Sequence, residues 1–120
     1  MIKRILILDD DHSNAEVLTY IMKEDGFEAL PIFAAEDLLP TIKKFNPHLL
    51  FLDINLGKFD GRRICNELKN NTQTKHLRII LISAMLPNQI QDIISSEDGL
   101  INKPFEINEV SSMVKKLLLK

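Results

Sequence analysis

The sequence predicts an α/β fold in which helices cover both faces of a parallel sheet. Short apolar segments at residues 5–8, 49–52, 79–82 and 100–101 are separated by amphipathic segments along the 120 residues. Continuous apolar runs of this length are typical of strands buried on both faces, as in a parallel sheet. Because crossovers between parallel strands are right-handed, the alternation predicts a doubly wound (βα)5 sheet. The length fits one domain, residues 1–120.

The first predicted strand covers residues 3–8, and the first predicted helix follows it. Ser13 is the expected N-cap of this helix, with Glu16 completing a capping box. Gly26 is a typical stop signal after a helix. The apolar residues between these signals recur at the spacing of a core-facing stripe and are Ala15, Leu18, Ile21 and Met22.

A weaker strand, a second helix and a third strand are predicted next. Residues 27–33 contain Pro31, which favours a position at the edge of the sheet. The apolar spacing over residues 38–45 indicates a helix, which Pro40 is expected to shorten or kink. Residues 48–53 then form the third strand after an Asn-Pro turn.

The following segments predict a loop, a helix and a strand. The loop covers residues 57–61, and the helix carries apolar residues at 64, 65 and 68. The fourth strand covers residues 77–83. Cys65 shares the apolar spacing of its helix, which indicates a core position rather than a reactive thiol.

The last third of the chain predicts two helices on either side of a fifth strand. Pro87 opens a short helix, and the turn at Asp98-Gly99 leads into the strand. The short helix carries Ile90, Ile93 and Ile94, and the last helix carries Ile107, Val110, Val114 and Leu117.

Composition excludes several classes of protein. The net charge of −2 and the lack of a basic block argue against direct nucleic-acid binding. No apolar stretch approaches membrane-spanning length, and the N-terminus has no signal-peptide pattern. The single cysteine excludes an internal disulfide. We therefore expect a cytoplasmic protein that contacts no membrane and that carries no output domain after its last helix.

Polar residues follow four of the predicted strands. Asp9-Asp10, Asp53 and Ser83 follow the first, third and fourth strands, and Lys103 follows the fifth after one asparagine. In open parallel sheets, ligands bind outside the carboxyl ends of the strands. We therefore expect acids, a hydroxyl and an ammonium to converge on one edge, a combination that suits a divalent cation and a phosphoryl group.

Together these segments resemble the receiver domain of bacterial two-component response regulators. The resemblance is carried by residues 5–11, by 52–56 with Asp60-Gly61, by 82–84 and by 103–105. It implies a flavodoxin-like fold with strand order 2-1-3-4-5. It also implies a phosphorylation-switched signalling domain, similar to single-domain chemotaxis regulators, that is not an enzyme apart from catalysing its own phosphoryl transfer and slow dephosphorylation.

The resemblance assigns a role to each acidic residue of the predicted site. Asp53 matches the phosphoacceptor, which takes a phosphoryl group from a sensor histidine kinase or a histidine phosphotransfer protein. Asp9 and Asp10 match the acidic pair that holds Mg²⁺ together with Asp53 and the backbone carbonyl of Asn55. Oxygen ligands of this kind suit Mg²⁺.

The resemblance also assigns the cation, the hydroxyl and the output surface. Lys103 pairs with the acceptor and then with the phosphoryl group, and its peptide bond to Pro104 is expected to be cis. The hydroxyl of Ser83 donates to a phosphoryl oxygen. The fourth helix, fifth strand and last helix form the face for an unidentified protein partner, in a monomer or a weak phosphorylation-dependent dimer. Leu100 departs from the family pattern, since an aromatic residue is usual at this position.

A small aspartate-nucleophile phosphatase of the haloacid dehalogenase type is the alternative. Asp9 and Asp11 have the Asp-x-Asp spacing of that superfamily, and Ser83 and Lys103 would match its later motifs. A further acidic pair should then follow the lysine at another strand end, where this chain has only its last helix. This alternative also leaves Asp53 without a role.

Overall fold

The computed structural model describes residues 2–84 and 93–119. Its strands are β1 (Arg4–Leu8), β2 (Glu28–Ile32), β3 (Leu49–Asp53), β4 (Asn55–Leu56), β5 (Phe59–Asp60), β6 (Arg78–Ser83) and β7 (Gly99–Asn102). Its α-helices are α1 (His12–Glu24), α2 (Leu38–Phe45), α3 (Gly61–Lys69) and α4 (Ile107–Leu118), and a 3-10 turn at Ala35–Asp37 precedes α2.

Five of these strands form one parallel sheet. Their order is β2-β1-β3-β6-β7, which is 2-1-3-4-5 when only the strands of this sheet are counted. The predicted fold class and strand order are therefore confirmed. Pro31 lies opposite Ile7 in the outermost strand, where the missing amide hydrogen removes no bond from the interior of the sheet.

The helices lie in two layers because the strand residues alternate between the two faces of the sheet. Ile5 and Ile7 of β1 point to the layer of α1 and α4, whose buried residues include Leu18 and Val114. Leu6 and Leu8 point to the layer of α2 and α3. These four residues of β1 are fully buried, which explains the continuous apolar run in the sequence.

Helix α1 begins two residues earlier than the predicted capping box requires. Its N-cap is Asp11, whose carboxylate accepts a hydrogen bond from the backbone N–H of Asn14 at 3.2 Å. Ser13 lies inside the helix, so the prediction of Ser13 as N-cap was wrong. An aspartate is as good a cap as a serine, so Asp11 satisfies the amide of Asn14 in a helix that begins earlier.

Two local features concern earlier expectations: the segment after β3 and the position of Pro40 in α2. Residues 57–61 were expected to be a loop, but Asn55–Leu56 and Phe59–Asp60 pair as a small antiparallel hairpin around Gly57, which has φ +65. Pro40 lies in the first turn of α2, where the missing N–H has no helical acceptor in any case. Helix α2 is eight residues long.

The predicted helix from Pro87 falls mostly outside the described residues. Ile93 and Ile94 are described and lie in irregular chain, and Ile94 is 89% exposed. In the last helix Val110 and Val114 are buried as expected, whereas Ile107 at its first turn is exposed. No helix in the described parts of the chain is long and apolar enough to cross a membrane.

Candidate functional site

The sheet brings the strand-end residues to one edge, as the sequence predicted. Asp53 is the last residue of β3 and lies opposite Ile82 of β6, so that Ser83 is one residue further along. Ser83 in turn lies opposite Asn102 of β7, and Lys103 follows directly. The backbone N–H of Lys103 donates to the carbonyl of Ser83 at 2.7 Å, which extends the ladder by one bond.

The ammonium of Lys103 lies between two buried carboxylates. Its Nζ is 3.1 Å from Oδ2 of Asp53 and 3.3 Å from Oδ2 of Asp9. Asp9 is fully buried and Asp53 is 4% exposed. Buried charges are costly unless they are paired, so this arrangement keeps one cation where two anions would otherwise repel each other.

Backbone amides orient both carboxylates. Oδ1 of Asp9 accepts from the N–H of Asp11 at 2.9 Å, and Oδ1 of Asp53 accepts from the N–H of Asn55 at 3.1 Å. Each carboxylate therefore turns its second oxygen toward Lys103. The reactive geometry thus depends on two local turns at the strand ends as well as on the sheet.

The carboxylates also fit a divalent metal ion. Asp9, Asp10 and Asp53 each place one carboxylate oxygen within 4.8 Å of the others. Within the described residues, Oδ2 of Asp9 is buried and accepts no hydrogen bond, although Lys103 is close enough for an ion pair. A buried acceptor with a free lone pair and acidic neighbours is a suitable ligand for Mg²⁺, which prefers oxygen donors.

The surroundings raise the pKa of both Asp53 and Lys103, whereas a simple ion pair would lower the pKa of the aspartate. Burial raises the pKa of Asp53 to about 6, and the neighbouring carboxylate of Asp9 adds to this, against the lowering effect of Lys103. Burial lowers the pKa of Lys103, but the carboxylates of Asp53 and Asp9 outweigh it and the pKa is raised. The lysine therefore stays charged at neutral pH.

Two further expectations concern Ser83 and the peptide bond after Lys103. Ser83 is 1% exposed and is the last residue of β6, at the same edge of the sheet as Asp53. The Lys103–Pro104 peptide bond is cis, as predicted. Asn55 follows the acceptor strand, and its carbonyl as a metal ligand stays a prediction.

Gly61 lies close to the backbone of Asp53 and Ile54. The sequence patterns did not predict this contact. A Cβ atom at this position would lie 2.3 Å from the carbonyl oxygen of Asp53 and 2.9 Å from Cα of Ile54. The N–H of Gly61 donates to the carbonyl of Ile54 at 2.8 Å. Asp60 is the N-cap of α3, and Gly61 is the first residue of the helix. Only the close approach of backbone to backbone explains the glycine.

Two side chains near the site have other roles. His12 stacks on Phe33 with ring centroids 3.9 Å apart, so that an aromatic pair flanks the acidic edge between α1 and β2. Cys65 is fully buried, and burial raises the pKa of its thiol to about 11. A neutral buried thiol is a core residue, as expected.

Comparison with known proteins identifies similar sequences along almost the entire chain. A family model for the response regulator receiver domain matches residues 5–115. The alkaline phosphatase synthesis transcriptional regulatory protein PhoP of Bacillus subtilis is 30% identical over 121 residues, which cover 98% of this chain and 49% of that protein. The DNA-binding response regulator MtrA of Mycolicibacterium paratuberculosis is 29% identical, with 98% and 52% covered. The chain thus spans about half the length of these curated relatives.

A solved structure agrees with the fold. The signal receiver domain of a signal transduction histidine kinase from Syntrophus aciditrophicus superimposes with a TM-score of 0.88 at 25% sequence identity, covering 98% of this chain and 90% of that one. The family match gives no support to the phosphatase alternative, which also leaves without a role the buried Asp53 that pairs with Lys103.

Proposed function

Since this chain belongs to the response regulator receiver domain family, we propose that Asp53 is the residue on which it takes up a phosphoryl group. Receiver domains are signalling domains of two-component systems and are phosphorylated on an aspartate. The observation that supports Asp53 is its carboxylate, held at the carboxyl end of a central strand and 3.1 Å from the ammonium of Lys103.

The proposed transfer uses one oxygen of Asp53 as the nucleophile. That oxygen forms a bond to phosphorus while the bond from phosphorus to the donor imidazole breaks. The imidazole leaves with the electron pair and takes a proton from solvent. Lys103 pairs with the carboxylate before the transfer and with a phosphoryl oxygen afterwards, so that it compensates negative charge at both stages.

Asp9, Asp10 and Asp53 would hold Mg²⁺, with the carbonyl of Asn55 as a further ligand. The bound ion supplies positive charge that offsets the charge of the phosphoryl oxygens. The amide hydrogen bonds that orient Asp9 and Asp53 leave their second oxygens available on the same side. This chain's own contribution is therefore to hold three carboxylates together beside a single ammonium, that of Lys103.

The proposal is tested by locating the modification. Incubation with acetyl phosphate and Mg²⁺, followed by borohydride reduction, converts an aspartyl phosphate into homoserine, which peptide mass spectrometry then locates. We expect homoserine at position 53 alone. A modified serine or histidine, or homoserine at position 9 or 10, would contradict the assignment.

Magnesium affinity should fall as the pH is lowered through about 6. The raised pKa of Asp53 means that its carboxylate is protonated below this pH, and a proton and Mg²⁺ compete for it. Loss of one proton per ion bound gives roughly a tenfold fall in affinity per pH unit below the pKa. An NMR titration at pH 5 and pH 7 measures this difference.

The same titration of the variant Asp10→Asn tests whether Asp10 is a ligand of Mg²⁺. It should bind Mg²⁺ at least about tenfold more weakly at pH 7, because a charged ligand is lost. The matched control is Asp11→Asn, which removes a neighbouring carboxylate while asparagine keeps the N-cap of α1. Equal affinities for all three proteins, or no change with pH, would exclude this ligand set.

Ser83 is proposed to carry the phosphorylation signal from the site to the surface of β7 and α4. Its hydroxyl would donate to a phosphoryl oxygen and so favour one arrangement of the chain after β6. In Ser83→Ala, beryllofluoride should still bind, but the amide shifts of Leu100 and Ile107 should be reduced relative to wild type. Ser112→Ala, an exposed serine on α4, is the control. Undiminished shifts in Ser83→Ala would limit the hydroxyl to a structural role.

The partners are proposed from the family. The phosphoryl donor would be a sensor histidine kinase or a histidine phosphotransfer protein, in the cytoplasm, and the receiver would catalyse only its own transfer and slow dephosphorylation. Direct nucleic-acid binding was not expected from the net charge of −2. The similar protein MtrA is named as a DNA-binding response regulator, so this comparison does not support the expectation. The chain covers only 52% of MtrA.

A further inference from the structure

An apolar groove runs beside α2 on the face of the molecule away from α1 and α4. A cavity of about 590 Å³ opens between α2, the β4–β5 hairpin and α3. A second cavity of about 360 Å³ continues it along α2, and both are lined by Leu39, Asn71 and Thr74. The apolar lining of the first consists of Leu38, Leu39, Pro40, Phe59, Ile64 and Leu68. Leu39 is 55% exposed beside this groove and extends its apolar lining to the surface.

The charges around the groove are separated along α2. Glu36 and Asp37 precede the helix, and Lys43 and Lys44 lie in its last turn. All four are exposed, and none makes an ion pair with another residue of the described chain. This polarity complements the helix dipole, but the dipole does not account for the exposed leucine between the charges.

We propose that the α2 face, defined here as Glu36 to Lys44 with its groove, binds the same face of a second copy of this chain. A two-fold axis near Pro40 would run the two α2 helices antiparallel. Each Glu36 and Asp37 would then face Lys44 and Lys43 of the other copy, since these positions are symmetric about residue 40. Leu39 of each copy would enter the groove of the other.

The charge pattern favours a second copy over an unrelated partner. An isologous interface must be self-complementary, and a helix that is acidic at one end and basic at the other meets this condition only in the antiparallel arrangement. The two ends lie roughly 12 Å apart, so parallel packing would instead oppose like charges. Glu67 of α3 also lines the groove and adds a carboxylate.

The size of the surface indicates a weak association. A stable interface takes about 800 Å² from each copy, and the proposed contact is built on a single helix of eight residues with its groove. Sedimentation velocity over a wide concentration range is therefore the appropriate measurement. Wild-type protein without phosphodonor should change from monomer to dimer as its concentration rises. Because Asp53 is not phosphorylated in this experiment, the result does not depend on the proposed function of Asp53.

Removing the apolar contact should weaken the dimer by at least about tenfold. The variant is Leu39→Asp, and its control is Leu119→Asp, which changes a leucine of nearly equal exposure, 56% against 55%, at the end of α4. Circular dichroism checks that both variants are folded. Equal association by the two variants would overturn the proposal.

Reversing the charges gives a test that does not depend on the apolar groove. E36K/D37K makes α2 wholly basic and K43E/K44E makes it wholly acidic, so each alone should dimerise less than wild type. Their mixture should form a heterodimer, and one chain with all four changes should dimerise like wild type again. The control K23E/K116E makes the same charge change at two exposed lysines outside the α2 face.

Restoration in both the mixture and the fourfold variant supports the antiparallel pairing. A wild-type protein that stays monomeric at every concentration would overturn the proposal, as would charge variants that never recover. Binding of an added apolar helical peptide by a chain that does not self-associate would overturn it in favour of a different occupant.

Discussion

Replacing Asp53 by asparagine is expected to abolish phosphorylation. The amide is isosteric with the carboxylate but has no anionic oxygen that can attack phosphorus, so the loss should be complete within the sensitivity of intact-mass measurement. Lys103 and Asp9 remain in place around it. Wild type and Asp53→Asn are incubated with acetyl phosphate and Mg²⁺ and weighed at intervals.

The matched control for this substitution is Asp11→Asn. Asp11 follows the acidic pair directly, and asparagine keeps its capping bond to the N–H of Asn14. This variant should be phosphorylated nearly as wild type is. A full mass increase in Asp53→Asn would show that another residue is the acceptor, and loss in both variants would indicate a general effect of charge at this edge.

Replacing Gly61 by alanine is expected to cost about 3 kcal/mol of folding stability, at the upper end of the usual effect of overpacking. The added Cβ would lie 2.3 Å from the carbonyl oxygen of Asp53 and 2.9 Å from Cα of Ile54. Both contacts are with backbone, which no rotamer change relieves, so β3 and α3 must move apart. Urea denaturation followed by circular dichroism measures the change.

Gly57 provides the comparison for Gly61. It has φ +65 and open space around it, so alanine there costs only about 1 kcal/mol for the left-handed backbone. Gly61→Ala should also slow phosphorylation, because the displaced backbone carries the acceptor carboxylate. Equal losses of stability at the two glycines would show that the contact between α3 and β3 yields at little cost.

The sequence alone was sufficient for the fold and for which residues meet at the site. Runs such as residues 5–8 and 49–52 are apolar on both faces, and their alternation with amphipathic segments is typical of a covered parallel sheet. In such a sheet the carboxyl ends of the strands lie together whatever the details of packing. Asp9, Asp53 and Lys103 were therefore placed at one edge before any distance was known.

Local signals near element ends were less decisive, since neighbouring residues compete for the same role. Asp11 and Ser13 are both suitable N-caps, and the choice of Asp11 depends on where the chain leaves β1. Asn55 and Asp60 pair across a hairpin of only two residues on each side, too short to have a recognisable period. Pro40 falls in the first turn of α2, a position that depends on where the helix begins.

Only the tertiary structure determined how the site residues act on one another. The pKa of Asp53 depends on burial and on Asp9, and the ion pair of Asp53 with Lys103 joins residues 50 positions apart in the chain. A glycine is required at position 61 because α3 approaches β3 closely there. The groove beside α2 exists because α2 and α3 lie apart at this point. Sequence patterns record which face of an element is buried, whereas these properties depend on distances between elements, which are decided when the whole core packs.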